Sequence, residues 1–195
     1  MKHKFITFLN LLIAASAALA QGTFQYDQES LNHPLGANVL YNLQSNEPIG
    51  QSFTPLLSSV GFVQFEPFDG HPNNGLGATL YVNLRSNSMS GPILNSTDPV
   101  FVPDNFGDVT NFLFSTPVAV VPGTTYFFEV VAQSGDLWRL NALQNLYPGG
   151  TMFSQGIALA QTDLWFREGV IVPEPSAGLI SFVIGATWIC VRRRR

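Results

Sequence analysis

Aromatic residues with polar neighbours are the first candidates for chemistry in this chain. Tryptophan and tyrosine rings combine a flat apolar face with a polar edge. Such rings can stack on sugars while nearby side chains bond the sugar hydroxyls. The candidates are Trp138, Tyr147 and Trp165, with Asp136, Arg139 and Asn141 as polar companions. The alternative is that the rings fill the core, which is favoured for Trp165. For Trp138 neither alternative is favoured, because Gly135, Asp136 and Arg139 beside it are typical of an exposed segment.

Two runs rich in Asp and Asn offer the oxygen ligands that calcium prefers. Neither run has the spacing of an EF-hand loop. Asp and Asn are also typical turn residues, because they tolerate left-handed backbone and bond nearby amides. The pattern therefore favours turns, with a structural calcium site as the alternative and no other cofactor expected. The first run contains Asp69, Asn73 and Asn74, and the second contains Asp98, Asp104, Asn105 and Asp108.

Recognised catalytic motifs are missing from the sequence. It contains no HExxH, GxSxG or CxxC pattern and no phosphate-binding glycine loop. His33 and His71 each precede a proline, and His71 lies in a loop by composition. Glycoside hydrolysis needs two carboxylates at a defined separation, and a chain with 13 acidic residues always contains some pair. The sequence therefore predicts a protein that is not an enzyme.

The end of the chain combines three features in a fixed order. Pro173, Glu174 and Pro175 come first, and the prolines keep Glu174 extended, as a processing enzyme requires. Residues 177–191 follow without a charge, and as a helix they would span roughly 22 Å, less than the ~30 Å hydrocarbon core. A basic stop, Arg192, Arg193, Arg194 and Arg195, completes the chain. Its charge predicts a cytoplasmic C-terminus and a body outside the membrane.

This tail resembles the PEP-CTERM sorting signal of exported bacterial proteins, which is also called the ice-binding protein C-terminal domain. The resemblance implies recognition by an exosortase, a membrane-embedded transpeptidase-like enzyme. It further implies cleavage near the motif and transfer to the cell surface or to an extracellular polysaccharide matrix. The alternative is a plain C-terminal membrane anchor. Ice binding is not expected, because the body has no regular Thr-x-Thr ladder.

The first twenty residues predict a secretory signal peptide. Lys2 and Lys4 supply the positive charge, and residues 5–17 are mostly apolar. Ala18 and Ala20 fit the A-x-A rule of signal peptidase, so the mature chain is expected to begin at Gln21. The alternative is an uncleaved N-terminal anchor. Export and a surface-sorting tail agree with each other, since the second requires the first.

The charge of the chain is unevenly distributed. The formal net charge is −4, but both lysines and four of the arginines lie in the two end segments. The body, taken as residues 21–175, retains Arg85, Arg139 and Arg167 against thirteen acidic residues, a formal charge of −10. Nucleic-acid binding needs clustered cations, so nucleic acid is excluded as a partner. The single cysteine, Cys190, lies in the apolar tail, which leaves the body without a disulfide.

Short strands separated by turn residues dominate the body. In residues 78–85 apolar and polar side chains alternate, as in a half-buried strand. Residues 125–131 are almost continuously apolar and predict a central strand covered on both faces. Pro122-Gly123 predicts a turn before it. Further strands are predicted at 50–54, 60–65, 100–102, 109–114, 118–121 and 163–167.

These strands predict an all-β fold, an antiparallel β-sandwich of the jelly-roll type. Several phrases in the body resemble a widespread group of bacterial secreted jelly-roll domains with mostly unassigned activity. The phrases are GQSFT at 50–54, ATLYV at 78–82, PV at 117–118 leading to PGTTY at 122–126, GG at 149–150 and DLWFR at 163–167. The predicted organisation is a signal peptide at 1–20, a sandwich at 21–170 and a sorting signal with a transmembrane helix at 171–195.

Three functional hypotheses follow. The preferred one is a non-catalytic structural protein of the cell surface or extracellular matrix, with signal peptidase and exosortase as its processing partners. The second is a carbohydrate-binding module of the exopolysaccharide matrix. The third, an enzyme of that matrix such as a lyase or hydrolase, rests on fold analogy alone.

Overall fold

A computed structural model describes residues 22–31, 39–144 and 147–173. Residues 24–171 form one compact unit. The predicted signal peptide and the predicted tail helix lie outside the described residues. Within the described ranges, no helix is both long and apolar enough to span a bilayer.

The described chain is built from antiparallel strands, which confirms the all-β prediction. One short 3-10 turn at Gln44–Asn46 interrupts them. The strands are β1 Thr23–Ser30, β2 Val39–Asn42, β3 Ile49–Phe53, β4 Ser59–Phe65, β5 Pro67–Asp69, β6 Ala78–Ser86, β7 Ile93–Ser96, β8 Val100–Val102, β9 Thr110–Ala119, β10 Tyr126–Gly135, β11 Trp138–Gln144, β12 Met152–Ser154, β13 Ile157–Leu159, β14 Thr162–Leu164 and β15 Phe166–Val172.

The largest sheet has seven strands. Its order is β13-β12-β3-β10-β6-β7, and β8 also pairs with β6. Strand β10, which contains most of the predicted central strand, lies between β3 and β6. Its long antiparallel pairing with β6 places Glu129 beside Asn83 and Phe127 beside Arg85. These two pairs lie on the outer surface of the sheet.

Two smaller sheets contain the remaining strands. One has the order β1-β15-β4-β9, and the other has β14-β11-β2 with β5 also on β11. The chain passes directly from one of these sheets to the other at two places. Only Glu66 separates β4 from β5, and only Trp165 separates β14 from β15.

Phenylalanine side chains join the sheets through one core. Phe128 on β10 stacks on Phe53 of β3 with ring centroids 4.1 Å apart. The same ring meets the edge of Phe65 on β4 at 6.2 Å. All three are fully buried. The seven-stranded sheet therefore packs against the smaller sheets in a sandwich-like arrangement, and an aromatic core forms between them.

The alternation predicted for residues 78–85 is confirmed. The apolar members enter the core and are at most 1% exposed: Ala78, Leu80, Val82 and Leu84. The polar members, Thr79, Tyr81, Asn83 and Arg85, therefore face away from that core.

Two predicted strand boundaries were wrong. Residues 109–114 and 118–121 were predicted as two strands, but the single strand β9 covers most of the first and half of the second. Phe62 pairs with Leu113 and Val60 pairs with Val118, so β9 bulges between these pairs. Pro117 is tolerated because β9 is an edge strand. Conversely, the strand predicted at 163–167 is divided at Trp165 between two sheets.

Candidate functional site

The sequence-predicted sugar-binding rings are all buried. Trp138 is 0% exposed, Tyr147 4% and Trp165 9%. Of the two alternatives for Trp138, the exposed one is wrong: its strand, β11, pairs with β2 along one edge and with β5 and β14 along the other. Its indole is part of the core cluster, which leaves no face for a sugar ring.

Tyr147 belongs to a buried hydrogen-bond network. Its hydroxyl accepts a bond from the Thr54 amide at 3.0 Å and lies 3.1 Å from Gln28 Oε1, to which it donates. Its ring meets the edge of Phe166 at 5.2 Å. Burial raises the pKa of Tyr147 to about 12. These contacts give Tyr147 a structural role.

The three polar companions each have a partner of their own. Arg139 Nε donates to Asn42 Oδ1 at 3.1 Å. Asn141 Nδ2 donates to Glu66 Oε2, and Asp136 Oδ2 accepts from Asn74 Nδ2. Since each companion already bonds a different neighbour, the structure does not assemble them with the aromatic residues into a sugar site.

One carboxylate from each calcium candidate run bonds backbone amides. Asp69 accepts from the amides of His71 at 2.7 Å and Asn105 at 2.8 Å. Asp104 accepts from those of Asn73 at 3.0 Å and Gly75 at 2.9 Å. Desolvation opposes ionisation, but these amide bonds hold the pKa of Asp104 below its usual value. The two carboxylates thus tie the 69–75 loop to the 103–105 turn.

The backbone at this loop pair has the predicted turn geometry. Asn73 and Asn105 have φ angles of 69° and 66°, in the left-handed region that Asn tolerates. Within the three described ranges, no group of three or more Asp, Glu, His or Cys side chains is placed to hold a metal ion. The structure accounts for these residues as turns, and calcium remains an untested prediction.

A second group of carboxyls is buried between β1, β14 and β15. Asp163 is fully buried, and it accepts from Gln51 Nε2 at 2.9 Å and from the Tyr147 amide at 3.1 Å. Glu168 is also fully buried, close to the Asp27 side chain and the Gln28 backbone. Burial, and then the nearby charge of Asp27, raise the pKa of Glu168 to about 9. Glu168 is therefore protonated at neutral pH.

Trp165 takes part in an aromatic–cation stack on the β1-β15-β4-β9 sheet. The Arg167 guanidinium lies 5.1 Å from the Trp165 ring and 4.8 Å from the Tyr26 ring. Tyr26 is 42% exposed and also contacts Phe62 edge-on at 5.7 Å. The sequence reasoning missed Tyr26, although the alternation of Phe24 and Tyr26 in residues 23–30 could have indicated a strand.

The outer face of the seven-stranded sheet carries a groove of about 420 Å³. We call it the outer groove. It lies on the side away from the core, since its strand residues alternate with core residues on β6 and β10. Its lining residues are Glu47, Pro48, Arg85, Met89, Ser90, Glu129 and Val131.

An ion pair lies at the floor of the outer groove. Arg85 Nη2 is 2.8 Å from Glu129 Oε2, and Arg85 Nε donates to the same oxygen at 2.8 Å. Asn83 Nδ2 is a third donor to Oε2, at 2.7 Å. The side chains of Arg85 and Glu129 are only 17% and 13% exposed, respectively. All three donors thus meet one carboxylate oxygen and leave the other oxygen, Oε1, free of protein donors among the described residues.

The surroundings of the ion pair are also ordered by hydrogen bonds. Arg85 Nη1 donates to the Gly91 carbonyl at 2.7 Å, which ties the β6–β7 loop to the sheet. Ser96 Oγ donates to Asn83 Oδ1 at 2.6 Å. The polar floor is therefore preorganised, and its geometry is suited to binding a polar ligand.

Gly50 of β3 borders the floor of the outer groove, and no larger residue fits there. Gly50 is the β3 partner of Glu129. A Cβ at Gly50 would lie 1.8 Å from the Phe128 carbonyl oxygen and 2.9 Å from Met89 Cε. Such contacts are impossible for a real side chain, so the position requires glycine. Met89, which is 3% exposed, lies above it as part of the groove wall.

The sequence reasoning did not identify the outer groove, because its residues come from four separate segments of the chain. Comparison with known proteins adds no relationship, since no family model and no curated protein matches this chain.

Proposed function

We propose that this protein is exported and sorted to the cell surface or extracellular matrix, where it has a non-catalytic structural role. The observation that carries the proposal is the ordered tail of Pro173-Glu174-Pro175, the uncharged residues 177–191 and four terminal arginines. A cleavable signal sequence at residues 1–20 is the complementary feature. Signal peptidase and an exosortase are the processing partners proposed on this basis.

The contacts of the body are compatible with a structural role. Asp69 and Asp104 bond loop amides, and Asp163 bonds a buried glutamine and an amide. Carboxylates that a catalytic site would use are thus engaged in holding loops and strands together. We propose on this ground that the protein is not an enzyme.

The proposed architecture is a jelly roll. Its support is the way in which consecutive long strands change sheets: β3, β6 and β10 belong to the seven-stranded sheet, whereas β4, β9 and β11 belong to the smaller ones. Such wrapping of a chain around two layers is typical of jelly rolls.

Intact-mass measurement of the protein recovered from its native envelope and medium tests the sorting proposal. We expect a mass that begins at Gln21 and ends near the Pro173-Glu174-Pro175 motif, with any attached group visible as added mass. A mass that still includes Arg195 would contradict the sorting proposal and would indicate a plain membrane anchor. Glu174→Ala, with the exposed Glu29→Ala as its control, should block tail cleavage without affecting signal removal.

The second proposed function is carbohydrate binding in the same matrix. The burial of Trp138, Tyr147 and Trp165 argues against the site originally considered. The outer groove favours this function at a different place, since it combines fixed polar groups with apolar walls.

A further inference from the structure

We infer that the outer groove is a binding site for neutral carbohydrate, with Glu129 accepting hydrogen bonds from sugar hydroxyls at its floor. The inference rests on the second proposed function and supplies that function with a site. It does not depend on whether the tail is processed.

The geometry of Glu129 is the first argument. A carboxylate accepts through two oxygens, and here Asn83 and Arg85 together occupy Oε2. The fixed position of Oε2 orients Oε1 without consuming its lone pairs. An oriented acceptor at the base of a groove suits a hydroxyl donor, and binding needs no rearrangement of the carboxylate.

The charge of the groove selects the class of ligand. Glu129 neutralises Arg85, and Glu47 at the rim adds a further carboxylate. A phosphate, sulfate or uronate would therefore meet a site with more acidic than basic groups. A neutral polyol can donate to carboxylates without this repulsion, so charge favours an uncharged sugar.

The apolar walls of the groove suit the C–H faces of a sugar ring. Pro48 and Val131 present apolar surface, the 3% exposed Met89 adds little to it, and Ser90 adds a hydroxyl. A pyranose has C–H faces and a rim of hydroxyls, so it can contact both kinds of surface at once. The volume of about 420 Å³ lies within the range of roughly 300–1,000 Å³ that small-molecule sites occupy.

Calorimetric titration of the full chain in a zwitterionic, sugar-free detergent tests the inference. The probes are cello-, xylo-, manno- and isomaltohexaose as neutral sugars, and hexaguluronate as an anionic one. We expect the wild-type chain to bind at least one neutral hexasaccharide and to bind hexaguluronate at least tenfold more weakly. Ser90→Trp should raise the Kd for the neutral hexasaccharide at least tenfold, because the indole would occupy the groove that the sugar fills.

Two further variants separate binding from folding. Ser115→Trp makes the same change at an exposed serine on β9, in another sheet, and should leave the Kd unchanged. Glu129→Gln keeps the shape of the side chain but weakens its acceptor, and it should also raise the Kd. Near-ultraviolet circular dichroism of each variant verifies its fold.

Three results would overturn the inference: no binding of any neutral probe by the wild-type chain, preferred binding of hexaguluronate, or equal affinity in folded Ser90→Trp and wild-type protein. These results are independent of the intact-mass experiment. A retained tail would refute the sorting proposal without affecting the titration of the groove. A titration in which no neutral sugar binds would refute the groove inference without affecting the sorting proposal.

Discussion

Replacing Glu168 by glutamine should make the protein more stable at neutral and alkaline pH. Glu168 is fully buried on β15, close to the Asp27 carboxylate of β1. It is neutral in the native state at pH 7, because burial and the Asp27 charge raise its pKa from an ordinary 4.5 to about 9. Glutamine has nearly the same shape and stays neutral at every pH.

The size of the effect follows from proton linkage. Above pH 4.5 the unfolded chain releases a proton that the native state retains until about pH 9, so stability falls as pH rises through this window. Each pH unit costs about 1.4 kcal/mol, which amounts to roughly 3 kcal/mol between the ordinary pKa and pH 7. Glu168→Gln removes this cost, and its advantage should grow with pH by up to about 1.4 kcal/mol per unit.

Urea unfolding at pH 5, 6, 7 and 8, followed by tryptophan fluorescence, measures this difference. The full chain in zwitterionic detergent serves for the wild type and each variant. Glu29→Gln is the matched control, because Glu29 is exposed on the same β1 strand that carries Asp27. The change that Glu29→Gln makes in the free energy of unfolding should not grow with pH as the change made by Glu168→Gln does.

The dependence on pH is the decisive result. A stability difference between wild type and Glu168→Gln that is constant from pH 5 to pH 8 would refute the reasoning, whatever its sign. It would mean that Glu168 titrates alike in the folded and unfolded states, and therefore that the native structure does not bury it as described.

Two further predictions concern packing and loop order. Phe128→Ala should destabilise the protein by about 3–5 kcal/mol, because it removes a fully buried ring from the core. Phe101→Ala is the control: its ring is 66% exposed, and its loss should change stability by less than about 0.5 kcal/mol. Equal urea midpoints for the two variants would contradict the assignment of Phe128 to the core. Asp104→Ala should speed hydrogen exchange at the amides of Asn73 and Gly75, which Asp104 binds, while Asp98→Ala should not. Unchanged exchange in Asp104→Ala would mean that the loop does not depend on this carboxylate.

Local sequence pattern was sufficient for the strand class of the fold. The alternation in residues 78–85 places one set of side chains inside and the other outside, and this periodicity belongs to the strand itself. The near-continuous apolar run at 125–131 predicted a central strand covered on both faces. Strand β10 is central, but its second face carries Glu129 and Val131, which line the outer groove, so the covering of both faces was wrong. Boundaries were less certain, since the bulge in β9 depends on its partner β4.

Trp138 illustrates where local pattern is misleading. Its neighbours Asp136 and Arg139 are polar, which suggested an exposed ring. The pairing of β11 with β2, β5 and β14 nevertheless places the indole in the core. Burial of a single side chain depends on partners from distant segments, and one sequence contains no direct signal for those partners.

The sequence by itself determined the all-β class, the acidic charge of the body and the order of the terminal signals, because each depends on composition or on neighbouring residues. The export and sorting functions of those signals remain predictions. Only the tertiary structure decided that Glu129 meets Arg85, 44 positions away along the chain, and that Glu168 is buried beside Asp27. The physical reason is that strand pairing is non-local: registers between distant strands create both the groove and the buried carboxyl, and side-chain type alone does not specify them.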